Sequence, residues 1–160
     1  MLAGRQTNLL IFLICNGLIA TALYMQHVME LTPCYLCITQ RAFVIITGMF
    51  ALLALIHNNG LRVYGFLIAI SALAGSFFSG KQLWLQSLPE DQVPACGPPA
   101  EYLFDAFSFT EAMSMLFRGD GNCAEVQWTF LSLSIPAWTL LCFLFLALLG
   151  ISQVFRKNNT

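Results

Sequence analysis

Two of the six cysteines stand three residues apart, in Thr32-Pro33-Cys34-Tyr35-Leu36-Cys37. Thr32 suits a helix N-cap and Pro33 its first position. A helix is therefore expected to begin here, with Cys34 and Cys37 at i and i+3 on one face of its first turn. A helix N-terminus favours negative charge, and thiolates form more readily there, most of all in Cys-X-X-Cys pairs. A larger thiolate fraction and a better leaving group are what thiol–disulfide exchange requires. A purely structural disulfide at this spacing closes a very small ring and constrains the unfolded chain little. A zinc ribbon wants a second closely spaced pair. Haem attachment wants a histidine directly after the second cysteine, where Ile38 stands. Redox use is the expectation, with no metal.

Arg41 follows Cys37 by four residues, one turn deeper on the same face. A permanent cation just inside a membrane is costly and is usually functional. It could stabilise a thiolate or polarise the oxygen of an electron acceptor held at the bilayer edge. The competing role is a side chain that reaches back to the headgroups. Cys96 and Cys123 are more widely spaced. Linked, they would close a large loop, worth about 3–4 kcal/mol in the chain-entropy model. Yet Cys96 sits in Val93-Pro94-Ala95-Cys96-Gly97-Pro98-Pro99, an exposed Pro/Gly-rich setting that gives an incoming thiolate access to its sulfur. Cys15 and Cys142 fall deep in apolar stretches and read as inert small apolar residues.

The elements that must position these residues belong to a membrane protein. Of 160 residues, 58% are hydrophobic and 9% charged, and the mean hydropathy is +0.74. A soluble domain carries about 25% charged residues, so this chain cannot coat itself for water. A spanning helix needs roughly 17–25 mostly apolar residues. Four stretches qualify, at about 8–28, 37–56, 63–79 and 135–154. The expected fold is an all-α integral membrane four-helix bundle, a single membrane domain over 1–160, with loops at about 29–36 and 80–134. The first stretch reads as a retained helix. Its apolar run exceeds the roughly 7–15 residues of a signal peptide, and no A-x-A-like site follows it.

All eight acidic residues are Glu30 or lie between Glu90 and Glu125. Arg5, Arg62, Arg156 and Lys157 lie on the opposite side, against Arg41, Lys81 and Arg118 on the acidic side. This 4-to-3 excess is a weak positive-inside signal. It puts both termini in the cytoplasm and makes the long loop periplasmic. Cysteine placement agrees, since Cys34, Cys37, Cys96 and Cys123 then face the side where disulfides persist.

Inside the long loop, Ser108-x-x-Glu111 reads as a capping box. Phe109, Ala112, Met113, Leu116 and Phe117 follow at helical period, and Gly119-Asp120-Gly121 stops the helix. This short amphipathic helix is expected either along the headgroup boundary or packed on the bundle. The prolines before it rule out regular structure from about Leu88 to Ala100, a segment expected to be mobile.

With these residues in view, the chain resembles the DsbB family of bacterial disulfide bond formation proteins. Pro33-Cys34-Tyr35-Leu36-Cys37 with Gln40-Arg41 is similar to that family's quinone-reducing motif. Further similarity lies in Val93-Pro94-Ala95-Cys96-Gly97-Pro98 and in the run from Cys123-Ala124-Glu125-Val126-Gln127-Trp128 to Ile135-Pro136-x-Trp138. The resemblance covers nearly the whole chain. It implies an inner-membrane enzyme that reoxidises a periplasmic DsbA-type dithiol protein. Reduced partner attacks a Cys96–Cys123 disulfide at Cys96, electrons pass to Cys34–Cys37, and Cys37 delivers them to a quinone, ubiquinone or menaquinone, near Arg41. A DsbA-type dithiol lies at about −120 mV, so its reoxidation needs a stronger oxidant still.

The family often carries a quinone-binding histidine just after the third helix. Here the stretch reads Lys81-Gln82-Leu83-Trp84. Gln82 stands at that position and could donate to a quinone carbonyl but cannot become a cation; a polar headgroup anchor is the alternative. His27 reads as an interfacial residue. Two other functions compete. A vitamin K epoxide reductase-type oxidoreductase is disfavoured by the Cys–Trp–Pro run before the last helix. A disulfide-stapled scaffold of tetraspanin style would carry Cys-Cys-Gly, which is absent, and gives no reason for Arg41.

The orientation has a direct check. Membrane-impermeant thiol reagents applied to reduced spheroplasts should label the four outward cysteines. An engineered cysteine at Asn59 should stay unlabelled; its labelling would reverse the topology.

Overall fold

The computed structural model describes residues 4–99 and 102–155. Arg156 and Lys157 of the charge count, and Ala100 of the proline-rich segment, lie outside these. The chain order is α1 (Gly4–His27), α2 (Tyr35–His57), α3 (Leu61–Gln86), α4 (Leu103–Ala106), α5 (Phe109–Arg118), β1 (Thr129–Phe130), β2 (Leu133–Ser134) and α6 (Ile135–Val154). Helices α1, α2, α3 and α6 are each long and apolar enough to cross a membrane.

Two boundaries differ from expectation in ways that matter for the site. First, α2 begins at Tyr35, with Cys34 itself as an extended N-cap. Thr32 stays outside the helix, where its carbonyl accepts a 3.1 Å hydrogen bond from Gln127 Nε2. Second, α3 runs past Ser79 to Gln86. Hydropathy ends at the polar run Lys81-Gln82, but the backbone hydrogen bonding does not. This last stretch is covered by α5, and Lys81 Nζ donates to the Phe117 carbonyl at the end of α5 (2.9 Å).

Within the membrane zone the core is small and dry, formed by Ile11, Cys15, Val44, Ala51, Ile68, Ala72, Phe143, Leu146 and Ala147. Large side chains such as Leu13, Phe66, Phe77 and Leu148 point outward, as they must when lipid is the solvent. With no hydrophobic drive between helices in lipid, association rests on close packing and interhelical hydrogen bonds. Both are present. The Thr47 and Ser71 hydroxyls meet at 2.8 Å between α2 and α3. Helices α3 and α6 approach through Gly65 and Gly150, where a Cβ on Gly150 would stand 2.8 Å from the Ala69 backbone nitrogen.

The long loop folds back over one end of this bundle. Helix α5 opens with the full capping box: Ser108 Oγ accepts from the Glu111 amide, and the Glu111 carboxylate accepts from Ser108 N. Those Ser108 hydrogen bonds hold the Glu111 carboxyl below its usual range. Of the two placements expected for its apolar face, Ala112 and Leu116 take the bundle, joining Leu36, Leu85 and Leu103 in a buried cluster. Thr39 Oγ1 ties α2 to the Leu116 carbonyl (3.0 Å), while Phe109 and Phe117 remain exposed. Strands β1 and β2, absent from the all-α expectation, form a two-residue hairpin pairing Thr129 with Ser134 and Phe130 with Leu133. Its turn places Leu131 and Ser132 at positive φ, the twist that two-residue hairpins demand but without the usual Asn-Gly signal. Trp138 Nε1 fastens it through the Phe130 carbonyl (3.1 Å).

The α3–α6 seam gives a stability test. Gly150→Ala should destabilise the protein by about 1–3 kcal/mol, the cost of overpacking a fitted contact, read as a lower Tm in detergent. Gly17→Ala, where nothing lies within 4 Å of the new Cβ, should not lower it.

Candidate active site

Cys34 is the centre of the site. As N-cap of α2 it is buried beneath α5. Its thiol donates to Cys37 Sγ at 3.1 Å, and it is buried in one cluster with Cys123. Contact with Cys123, then with Cys37, together with burial, pushes the Cys34 thiol far above the ordinary range and keeps its proton on. The neighbouring sulfurs of Cys34 and Cys37 thus lie in one largely buried spot with Cys123, which is distant in sequence.

Cys123 reaches it through a short 3-10 turn, Gly121–Cys123, and is fully buried. The preceding Asp120 is buried too and acts as a hub. Its Oδ2 accepts from Gly97 N (2.9 Å) and Asn122 Nδ2 (2.6 Å), and its Oδ1 accepts from Cys123 Sγ (3.4 Å). Against the expected irregularity from about Leu88, Glu90–Gln92 forms a 3-10 turn; the segment bearing Cys96 is irregular from Val93 on, but the structure pins it. Tyr35 donates its hydroxyl to the Pro98 carbonyl (2.6 Å), and Gly121 N donates to the Ala95 carbonyl (3.3 Å). Expected mobility gives way to these bonds, which a reading of local composition cannot foresee. Cys96 is exposed and lies against Gly121; a Cβ there would be 3.0 Å from Cys96 Sγ and 2.4 Å from the Pro94 carbonyl. Only glycine allows this approach two residues from Cys123.

The Arg41 guanidinium donates to Gln26 Oε1 and to the Ala22 carbonyl (3.2 Å), both on α1. It lines a cavity of about 100 Å³ between α1, α2 and α6, together with Cys37, Gln40, Ala22, Met25 and Ile135. An apolar cavity of about 290 Å³ adjoins it, sharing Leu18, Ala22, Met25, Ile135 and Thr139, and extends past Trp138 and Cys142. Gln82 lies elsewhere. It is buried, accepts from Gln40 Nε2 at 2.8 Å, and directs its own Nε2 to Cys34 Sγ and Cys37 Sγ at 3.4 Å each. It is not among the residues lining the Arg41 cavity.

The structure therefore brings Cys34, Cys37 and Cys123 together, sets Cys96 at the surface beside them, and places Arg41 and Gln82 on different sides of Cys37. Cys15 is in the membrane core and Cys142 in the outer part of α6. Asp120 was legible only as part of a helix stop. Its carboxylate matters because Gly97 arrives from 23 residues away, and no local pattern signals that.

Four spanning helices with two cysteine pairs gathered at one end define a membrane thiol–disulfide oxidoreductase. The family model described as "Disulfide bond formation protein DsbB" matches residues 4–153, and the chain belongs to the DsbB family of membrane proteins of disulfide bond formation. A "Disulfide bond formation protein B" from Saccharophagus degradans is 53% identical, covering 96% of this chain and 94% of that protein. One from Hahella chejuensis is 49% identical over 89% and 88%. "Disulfide bond formation protein B 1" from Pseudomonas aeruginosa is 42% identical over 94% and 93%.

Loss of any of Cys34, Cys37, Cys96 or Cys123 should abolish turnover of a dithiol substrate. Cys15→Ala and Cys142→Ala should retain it. If either of these two abolishes turnover in folded protein, the division of the six cysteines is wrong.

Proposed function

We propose that this protein reoxidises a DsbA-type periplasmic dithiol protein and passes the electrons to a membrane quinone. The observation that carries the proposal is the graded exposure of the sulfurs: Cys96 on the surface, Cys123 and Cys34 buried, and Cys37 on the wall of the Arg41 cavity. A thiolate of the reduced partner attacks Cys96 Sγ. The Cys96–Cys123 bond breaks, and its electron pair leaves on Cys123. Cys123 then attacks Cys34, with which it is in contact, and the Cys34–Cys37 bond gives its pair to Cys37. The partner's second thiol resolves its mixed disulfide with Cys96, so the partner leaves oxidised. The freed Cys96 thiolate attacks Cys123, re-forming the Cys96–Cys123 bond and releasing Cys34, so that Cys34 and Cys37 together hold the electron pair.

The residues of the Arg41 cavity fit a quinone. Its walls are largely apolar, the adjoining cavity is apolar enough for a hydrocarbon tail, and Arg41 and Gln40 supply polar groups beside Cys37. A bound quinone accepts two electrons and two protons. Arg41, held on α1 by Gln26, presents a fixed positive charge where an oxygen gains negative charge. Gln82 is placed for the sulfurs instead of for this cavity, so the quinone role expected of it has less support than that of Arg41.

Sidedness follows the same reading. The cysteine-bearing end faces the periplasm across the inner membrane, and Arg5 and Arg62 mark the cytoplasmic end. The test is a purified assay with reduced DsbA-type protein and a ubiquinone analogue, following quinone absorbance. Arg41→Ala should raise the apparent KM for quinone or slow its reduction by about 10- to 100-fold, the worth of a hydrogen bond to a charged group. The Cys96 mixed disulfide should still form at near-normal rate. Arg41→Lys should recover part of the loss, restoring charge without the planar fork. Unchanged quinone kinetics in folded Arg41→Ala would move the acceptor site elsewhere.

A further inference from the structure

Gln40 and Gln82 are buried amides facing each other across α2 and α3. Buried polar groups in a membrane protein are held by partners, and here the pairing has a direction. Gln40 Nε2 donates to Gln82 Oε1 at 2.8 Å. The Gln82 oxygen is also 3.7 Å from Cys37 Sγ, and its NH2 group lies 3.4 Å from each of the two sulfurs, so the donor side of the amide makes the closer approach. We propose that Gln82 is a positioning residue for thiol exchange, its amide N–H holding the electron pair that arrives on Cys37 Sγ when the Cys34–Cys37 bond breaks, and that Gln40 fixes the orientation of that amide.

The chemistry is specific to one step. When the Cys123 sulfur attacks Cys34, a Cys123–Cys34 bond forms, the Cys34–Cys37 bond breaks, and Cys37 leaves as a thiolate. A leaving thiolate in a largely apolar site needs hydrogen-bond donors, because water is scarce and an unpaired buried charge is costly. The charged and titratable groups facing Cys37 are few. Helix α2 supplies Cys34 and Arg41, and the loop supplies Cys123 and Glu125. Among the described residues, the groups of α1, α3 and α6 that line its surroundings are uncharged, Gln26, Gln82 and Gln86 among them. The Arg41 guanidinium is already bonded to α1, whereas Gln82 contacts the sulfur itself. Gln40 also lines the Arg41 cavity, so one amide pair spans the distance between the sulfur and the acceptor side.

The inference rests on the exchange reading of Cys34 and Cys37, but its test contains neither partner nor quinone, so either can fail alone. In a full-length chain keeping Cys37 as its only cysteine, the rate of alkylation by iodoacetamide reports the thiolate. Gln82→Leu should alkylate about 3- to 10-fold more slowly than the parent at pH 7, with the two rates converging at pH 10. A loss of access alone would slow both pH values equally and would overturn the proposal. Gln82→His, which keeps an N–H donor, should recover most of the pH 7 rate. Gln40→Leu should shift the profile in the same direction by less. If Gln82→Leu fails to fold by circular dichroism, the equally sized Gln82→Glu takes its place, and there too an unchanged pH 7 rate overturns the proposal.

Discussion

A thiolate exchanges with a disulfide only where one sulfur can touch another, and on the proposed route that point is Cys34. It must meet Cys37 on its own helix and Cys123 from a loop some ninety positions later. The first contact is local: a helix that starts at Tyr35 leaves Cys34 as N-cap with Cys37 within its first turn. The second needs tertiary structure. Helix α5 buries Ala112 and Leu116 on the ends of α2 and α3, and the turn that follows it delivers Cys123 into the same apolar cluster. Thr39 and Lys81 bond the carbonyls at the end of α5 and so fix where that turn begins. The loop is thus built as a cover that carries one reacting sulfur inward while Asp120, Tyr35 and Gly121 keep Cys96 at the surface.

The membrane sets the other half of the design. Below Cys37 there is no water-filled core, only helices packed through glycine and hydroxyl contacts with their large side chains turned to lipid. Farther along the bundle Thr47 meets Ser71 and Gln153 donates to Asn8, while at the site end Gln26 accepts from Arg41 and Gln82 from Gln40. Cys37 stands at the boundary between that polar patch and the apolar cavity between α1 and α6. On the proposed route, this is the sulfur that would pass electrons from an aqueous protein to a carrier dissolved in lipid.

Much of this was legible in the residues alone. The four spans, the capping box at Ser108 and the division of the cysteines into a paired set and two isolated ones follow from hydropathy, periodicity and spacing, which are local properties. What escaped were consequences of long-range approach. Thr32 has every mark of an N-cap, yet Gln127 holds its carbonyl outside the helix. The Cys96 segment has the composition of a mobile strap, yet Tyr35 of α2 and the turn before Cys123 hold it. The contact of Gln82 with two sulfurs, which adds to the polar role expected of it, appears only once α2 and α3 are packed. The Leu131-Ser132 turn lacks the glycine that would have announced a hairpin. Each miss involves a hydrogen bond to a residue distant in sequence or a backbone state its sequence does not advertise.

The contact between Cys34 and Cys123 is what the rest depends on, and it can be trapped. In a Cys37→Ala, Cys96→Ala chain, Cys34 and Cys123 are the two site sulfurs left. Mild oxidation with diamide, proteolysis without reduction, and mass spectrometry of the peptides identify their bond. Expected is a single intramolecular Cys34–Cys123 linkage forming rapidly in near-complete yield. Recovery of both cysteines unlinked, or linked only between molecules, would contradict a shared buried position for these sulfurs and with it the route from Cys96 to Cys37.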